Sequence, residues 1–143
     1  MIDKKFVRRK LDLIQMEIEK LESLKGKSFE EVAENQIEWD ALEWWLAKLI
    51  GRAIDINNHI LGEYGERLKR APVDYTETFL FLKDLGILPE EFARRISKSA
   101  GFRNRVIHEY NDIDKVLVFE TIDDAIRDYA KYCEYVLEWL EKV

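Results

Sequence analysis

Four side chains within eight residues could do chemistry together: Arg103, Asn104, His108 and Tyr110, spaced R-N-x-x-x-H-x-Y. Histidine is the side chain whose unperturbed pKa lies near neutrality, so it can take or give a proton. Arginine keeps its charge and can grip a phosphate through two parallel hydrogen bonds. One of each is enough for cleavage of RNA by its own 2′-hydroxyl. The histidine would assist proton transfer at that hydroxyl or at the leaving oxygen, and the arginine would stabilise charge developing on phosphorus. Such chemistry requires no metal and no cofactor, and the sequence suggests neither. His59 and His108 and the scattered carboxylates show no metal-ligand spacing. There is no P-loop, dinucleotide fingerprint or nucleophile elbow.

Charge supports an anionic ligand at this place. From Arg94 to Arg105 there are five basic residues (Arg94, Arg95, Lys98, Arg103, Arg105) and no acid, in a chain of net charge −6. A local basic patch on an acidic protein points to an anion held at one position, and RNA phosphate fits. Lys98 and Arg105 are the expected phosphate contacts beside Arg103. The alternative is that some of these cations, Arg94 and Arg95 first among them, pair with glutamates of neighbouring helices. The net acidity itself argues against a general nucleic-acid coat protein.

Helical geometry sets a difficulty. Asn104 and His108 are four apart and share a face, but Arg103 and His108 are five apart, offset by about 140° and about 7.5 Å of rise. A straight helix does not juxtapose them. Arginine's reach covers part of the gap, and a second copy of the site across a two-fold axis would cover more.

The elements that must position these residues read as helices. With 143 residues, 47% hydrophobic and 36% charged, the chain suits one globular domain over 1–143. Phe6, Val7, Leu11, Ile14, Ile18, Leu21 and Leu24 recur at three and four, predicting a helix over 3–25 capped by Asp3. Ser28 and Glu31 form a capping-box signal that opens a long helix running to about Leu61 and Gly62. That helix carries Trp39, Trp44 and Trp45. Adjacent positions point about 100° apart, so Trp44 and Trp45 imply either two core seams or one seam and a partner surface. It also carries Asp55, Asn57, Asn58 and His59, which form either a hydrogen-bonded polar layer or a functional face. A connector over 63–74 leads to a short helix started by Asp74 and Glu77 and ended at Gly86. Pro89 suits the first turn of the helix that carries the central stretch. Asn111 to Asp114 break the pattern, and 115–141 is helical again with a bend expected near Thr121. Strict alternation is nowhere sustained, so no sheet is expected. The fold class is all-α, an antiparallel four- to five-helix bundle. One cysteine, Cys133, no signal-like start and no long apolar run suggest a cytoplasmic protein.

The stretch Gly101-Phe102-Arg103-Asn104-Arg105-Val106-Ile107-His108-Glu109-Tyr110 resembles the R-x4-H-x-Y motif of HepT-like HEPN toxins. These are prokaryotic ribonucleases of toxin–antitoxin systems, paired with MntA-type minimal nucleotidyltransferase antitoxins. Residues 53–61, AIDINNHIL, resemble the family's second-helix signature, and residues 79–88, FLFLKDLGIL, its third-helix segment. The resemblance implies a HEPN-type bundle that forms a homodimer, with two R-x4-H motifs facing each other across one cleft. It implies a metal-independent endoribonuclease with Arg103 and His108 as the catalytic pair and Asn104 as a supporting polar residue. Asp55, by similarity, faces the same cleft. Tyr110 corresponds to the residue that the antitoxin modifies with AMP. A phosphate and a nucleoside placed there would repel and block RNA.

Two other readings use the same residues. The chain could be a non-catalytic helical partner, or substrate-presenting subunit, of a nucleotidyltransferase. It could also be an interaction protein whose Arg103 and His108 merely satisfy buried carboxylates. Only the nuclease needs His108 as a proton carrier.

Overall fold

The computed structural model describes residues 1–108 and 114–143, and of Ile107 and His108 the backbone alone. Among these residues the chain is all-helical: α1 (Lys4–Glu22), α2 (Phe29–Glu34), α3 (Gln36–Glu63), α4 (Tyr75–Asp84), α5 (Glu90–His108) and α6 (Lys115–Lys142), with a 3-10 turn at Gly65–Arg67. None of these helices is long and apolar enough to cross a membrane.

Most boundaries follow from local hydrogen bonding. Asp3 accepts from the Phe6 N–H at 3.0 Å and starts α1. Ser28 and Glu31 close both halves of a capping box at α2. The expected single helix from there to Leu61 does not form, because Asn35 interrupts it. Its backbone is extended, and its side chain accepts from the Glu38 N–H at 3.1 Å to start α3 afresh. Asparagine is a preferred cap because its short amide competes for backbone groups that a continuing helix would use. At its other end α3 continues through Gly62 to Glu63. Asp74 caps α4 by accepting from the Glu77 N–H at 2.9 Å. The Glu77 carboxylate reaches back to the Val73 N–H and to Arg70, and these bonds hold its pKa down at about 2. α6 runs unbroken through Thr121, whose hydroxyl donates to the Val118 carbonyl.

Helix α3 is the hub and packs against α1, α2, α4 and α5. Its pairing with α1 is antiparallel: Asp3, Lys10 and Glu17 meet His59, Asp55 and Arg52 in reverse order. Of the tryptophans, Trp39 is 2% exposed and in the core, Trp45 packs against the core edge, and Trp44 is 61% exposed. Trp44 lies off the packed faces of α3 and points outward, with the Lys48 ammonium 4.5 Å from its ring centre. Ile37 (82% exposed), Val116 and Leu117 also lie outside the core.

The buried polar layer is resolved around Asn57. Its amide donates to the Thr78 hydroxyl at 3.1 Å, and its carbonyl accepts from the Tyr132 hydroxyl at 2.6 Å. Asn57 thus ties α3 to α4 and α6 and has a structural role. His59 accepts from the Asp3 N–H at 3.0 Å and packs its ring on Phe6, so it anchors the start of α1. Truncating Asn57 leaves the Thr78 hydroxyl without that donor and opens a small cavity. Asn57→Ala is expected to cost about 2–4 kcal/mol in urea unfolding. A loss under about 0.5 kcal/mol, the scale of an ordinary surface change, would show that the layer contributes nothing to stability.

Candidate functional site

Helix α5 is positioned by α4, α3 and α6. It starts just after Pro89, whose carbonyl accepts the Ala93 N–H at 2.9 Å. Phe92, Ala93, Ile96 and Ala100 bury its inner face, and Val106 continues that face in the last turns. Of its polar side chains, Ser97 is buried with that face and Arg103 is half-buried, while Arg94, Arg95, Asn104 and Arg105 are exposed.

The five cations separate into two groups. Arg94 pairs with Glu90 one turn earlier at 2.9 Å. Arg95 pairs across to Asp128 of α6 at 3.1 Å, and Asp128 also receives Arg127. These two arginines are held by acids, though by a glutamate of α5 itself and an aspartate of α6 rather than by glutamates of neighbouring helices. No described carboxylate makes an ion pair with Lys98, Arg103 or Arg105.

The three differ in setting. Arg103 is half-buried and lies on α3. The position that a Cβ on Gly51 would take is 3.4 Å from its Nε, 3.6 Å from its Nη2 and 3.9 Å from its Cζ. The Nε is buried and has no hydrogen-bond partner among the described residues. Asn104 is exposed. Arg105 is exposed, with its guanidinium 6.0 Å from the Phe102 ring centre. Lys98, Phe102 and Arg105 line a groove of about 300 Å³ between α5 and α6, floored by Leu46, Ile50 and Leu117. At 100° per residue, Arg103 occupies the flank of α5 toward α3 and Arg105 and Lys98 the flank toward α6, with Asn104 on the solvent side between them. The cations bracket one exposed face rather than forming a single cluster.

Of the other expected site residues, Asp55 is on α3 one turn beyond Gly51. Its carboxylate is half exposed and accepts from Lys10 of α1 at 2.8 Å, so in one protomer it serves the α1–α3 contact and is not paired with Arg103. The backbone of His108 ends α5. Tyr110 lies outside the described residues. Gly51 was not legible as part of the site: a mid-helix glycine carries no chemistry of its own, and nothing in its neighbours signals that an arginine will rest on it.

Known proteins resemble this chain in sequence and in fold. The profile of the family described as "Ribonuclease HepT-like" matches residues 14–136. A tRNA nuclease HepT from Aphanizomenon flos-aquae is 31% identical over 141 residues, covering 97% of this chain and 92% of that protein. Two solved structures share the fold at low identity. One is a tri-AMPylated Shewanella oneidensis HEPN toxin in complex with MNT antitoxin, with TM-score 0.82 and 18% identity over 96% of this chain and 99% of that one. The other is the cytosolic protein YutE from Bacillus subtilis, with TM-score 0.83 and 16% identity over 99% of this chain and 92% of that one.

One acid on α3 is perturbed upward. Glu43, two turns before Gly51, is held above the ordinary carboxylate value of 4.5, first by burial and then by the charge of Asp40. Trp39 donates to it and Lys115 attracts it, and both oppose the shift. One of its oxygens is buried with no partner among the described residues. A carboxyl whose pKa is raised by folding stabilises the fold below its unfolded value, and that contribution is lost as pH rises through the folded value. At neutral pH the charge is therefore a burden. Glu43→Gln, which can still accept from Trp39, is expected to raise Tm at pH 7, with the gain shrinking toward pH 4. A lower Tm at pH 7 would mean that attraction to Lys115 outweighs burial.

Proposed function

The chain belongs to the ribonuclease HepT-like family, and from that membership we propose that it is a metal-independent endoribonuclease toxin acting as a homodimer. The observation that carries the reading is the position of the R-x4-H motif. It occupies the last two turns of α5, inside the region matched by the family profile, with Arg103 half-buried against Gly51 of α3 and Asn104 exposed. The two arginines that could have explained the basic run as ordinary ion pairing, Arg94 and Arg95, are paired, and the motif's own arginine is not among those pairs.

In this reading Arg103 holds a phosphodiester oxygen and stabilises charge at phosphorus. His108 carries the proton that leaves the 2′-hydroxyl or reaches the 5′-oxygen. The 2′-oxygen bonds to phosphorus as the bond to the 5′-oxygen breaks, leaving a 2′,3′-cyclic phosphate and a 5′-hydroxyl. The five-residue offset between Arg103 and His108 is bridged by the motif of a second protomer, so one cleft holds two arginines and two histidines. Asn104 orients the phosphate or the histidine. Lys98 and Arg105, on the far flank of the same exposed face, hold the strand's neighbouring phosphates. Outward-facing Trp44 shares the stripe of Gly51, seven residues on, and supplies aromatic area to a partner near the cleft.

Control follows from the partner chemistry of the family. A cognate MntA-type nucleotidyltransferase transfers AMP to Tyr110, with pyrophosphate leaving ATP. The added phosphate and nucleoside exclude RNA by like charge and bulk. The Shewanella toxin, AMPylated and bound to its MNT antitoxin, supports AMP transfer as the mode of control.

Cleavage of labelled tRNA, the substrate named for the Aphanizomenon relative, is expected to survive a chelator and to fall at least a hundredfold in His108→Ala at unchanged dimer mass. Cleavage by His108→Ala within a few-fold of the parent would exclude the histidine from the chemistry. Incubation with the nucleotidyltransferase and ATP is expected to add AMP to the parent and not to Tyr110→Phe. Label retained in Tyr110→Phe, at Tyr64 or Tyr75 for example, would overturn the modification site.

A further inference from the structure

Gly51 sits in the middle of α3, a 28-residue helix, with helical backbone on both sides. It is at no turn and has no positive φ. Glycine weakens a helix interior, so its presence there invites a packing reason. The nearest group to its open side among the described residues is the guanidinium of Arg103, with three of its atoms within 4 Å of where a side chain would begin. Nε and Nη2 are both nearer than Cζ, so the guanidinium turns its Nε–Nη2 edge to the place a side chain would take. Its Nε is sealed from water in that position.

We propose that Gly51 is a positioning residue for the nuclease reaction: the absence of a side chain on α3 makes the seat that fixes the guanidinium of Arg103. The proposal rests on the nuclease reading for its consequence and on the helix contact for its geometry. A seated arginine keeps its phosphate-binding edge in one place before substrate arrives, which is how positioning contributes to rate. The distances grade the effect by size. A methyl group would stand 3.4 Å from Nε, in ordinary van der Waals contact, so alanine fits under the guanidinium. Any side chain that branches or extends beyond Cβ enters the space that the guanidinium occupies and must lift it away. Alanine and leucine both favour helix over glycine, so neither change should weaken α3 itself.

The test uses the full-length protein with Gly51→Ala, Gly51→Leu, Arg103→Ala and the Gly51→Leu/Arg103→Ala pair. Tm, dimer mass, tRNA cleavage and the 15N-resolved Arg Nε–H signals are measured for each. Gly51→Ala is expected to cleave within threefold of the parent. Gly51→Leu should keep its Tm and dimer mass but lose at least thirtyfold, chiefly in kcat. Adding Gly51→Leu to Arg103→Ala should cost no more than another twofold, because the seat acts only through its occupant. The Nε–H signal that vanishes in Arg103→Ala is expected to exchange slowly with water in the parent and fast in Gly51→Leu. Undiminished cleavage by Gly51→Leu, a further multiplicative loss in the double variant, or a monomeric Gly51→Leu would each overturn the seat. The Nε–H measurement stands apart from activity. If the parent cleaves nothing, the nuclease reading fails, and protection lost in Gly51→Leu still establishes the seat while retained protection refutes it.

Discussion

How closely α5 approaches α3 decides what the motif can do. Arg103 is carried by α5 but rests on α3, with its Nε buried and its Nε–Nη2 edge turned to Gly51. A buried donor without a partner costs about 1–3 kcal/mol, and that cost must be offset by the apolar packing around it. Phe102, packed against the core, and buried Val106 flank Arg103 on α5. The arrangement also removes freedom from a side chain that would otherwise lose about 1.5–2 kcal/mol of rotamer entropy on ordering. Much of that loss occurs on folding, before any phosphate is met. The site is therefore a property of the helix pair, and the rest of the bundle serves to hold that pair in register. Asn57 does so by tying α3 to α4 and α6, and His59 by fixing α1 to the far end of α3.

Electrostatics adds selectivity to that geometry. The protein is acidic overall, yet its fifth helix is basic from Arg94 to Arg105. The structure divides this charge by distance from the motif. Near the start of the run, Arg94 and Arg95 are neutralised by Glu90 and Asp128. Toward the end, the cations flank an exposed face that holds Asn104. Cations gathered toward the end of one helix on an acidic chain favour a localised contact with a polyanion over coating.

The sequence and the structure agree where periodicity or a motif carries the signal. The all-α architecture was legible in the three-and-four spacing of residues such as Leu11, Ile14, Ile18 and Leu21, and the family in the R-x4-H-x-Y stretch. Ser28, Asp74 and Asp3 announced helix starts because capping is a local interaction between neighbouring residues. Asn35 was missed because a single cap inside an apolar-periodic run looks like an ordinary exposed amide. The fates of Trp44 and Asp55 were undecidable from spacing, since each depends on what other helices bring near. Asp55 meets Lys10, forty-five residues away. Gly51 lies at the far limit of legibility, because its contribution is the space it leaves for a residue fifty-two positions later.

The most direct measurement is trans-complementation of two inactive variants. Arg103→Ala and His108→Ala dimers are each purified, shown to be folded and silent on tRNA, then mixed under conditions that allow protomers to exchange. A cleft built from both protomers predicts that cleavage reappears with the rate of exchange, since a mixed dimer carries one arginine and one histidine on opposite sides. Mixed dimers confirmed by mass that remain silent would contradict a composite site and confine the chemistry to a single chain.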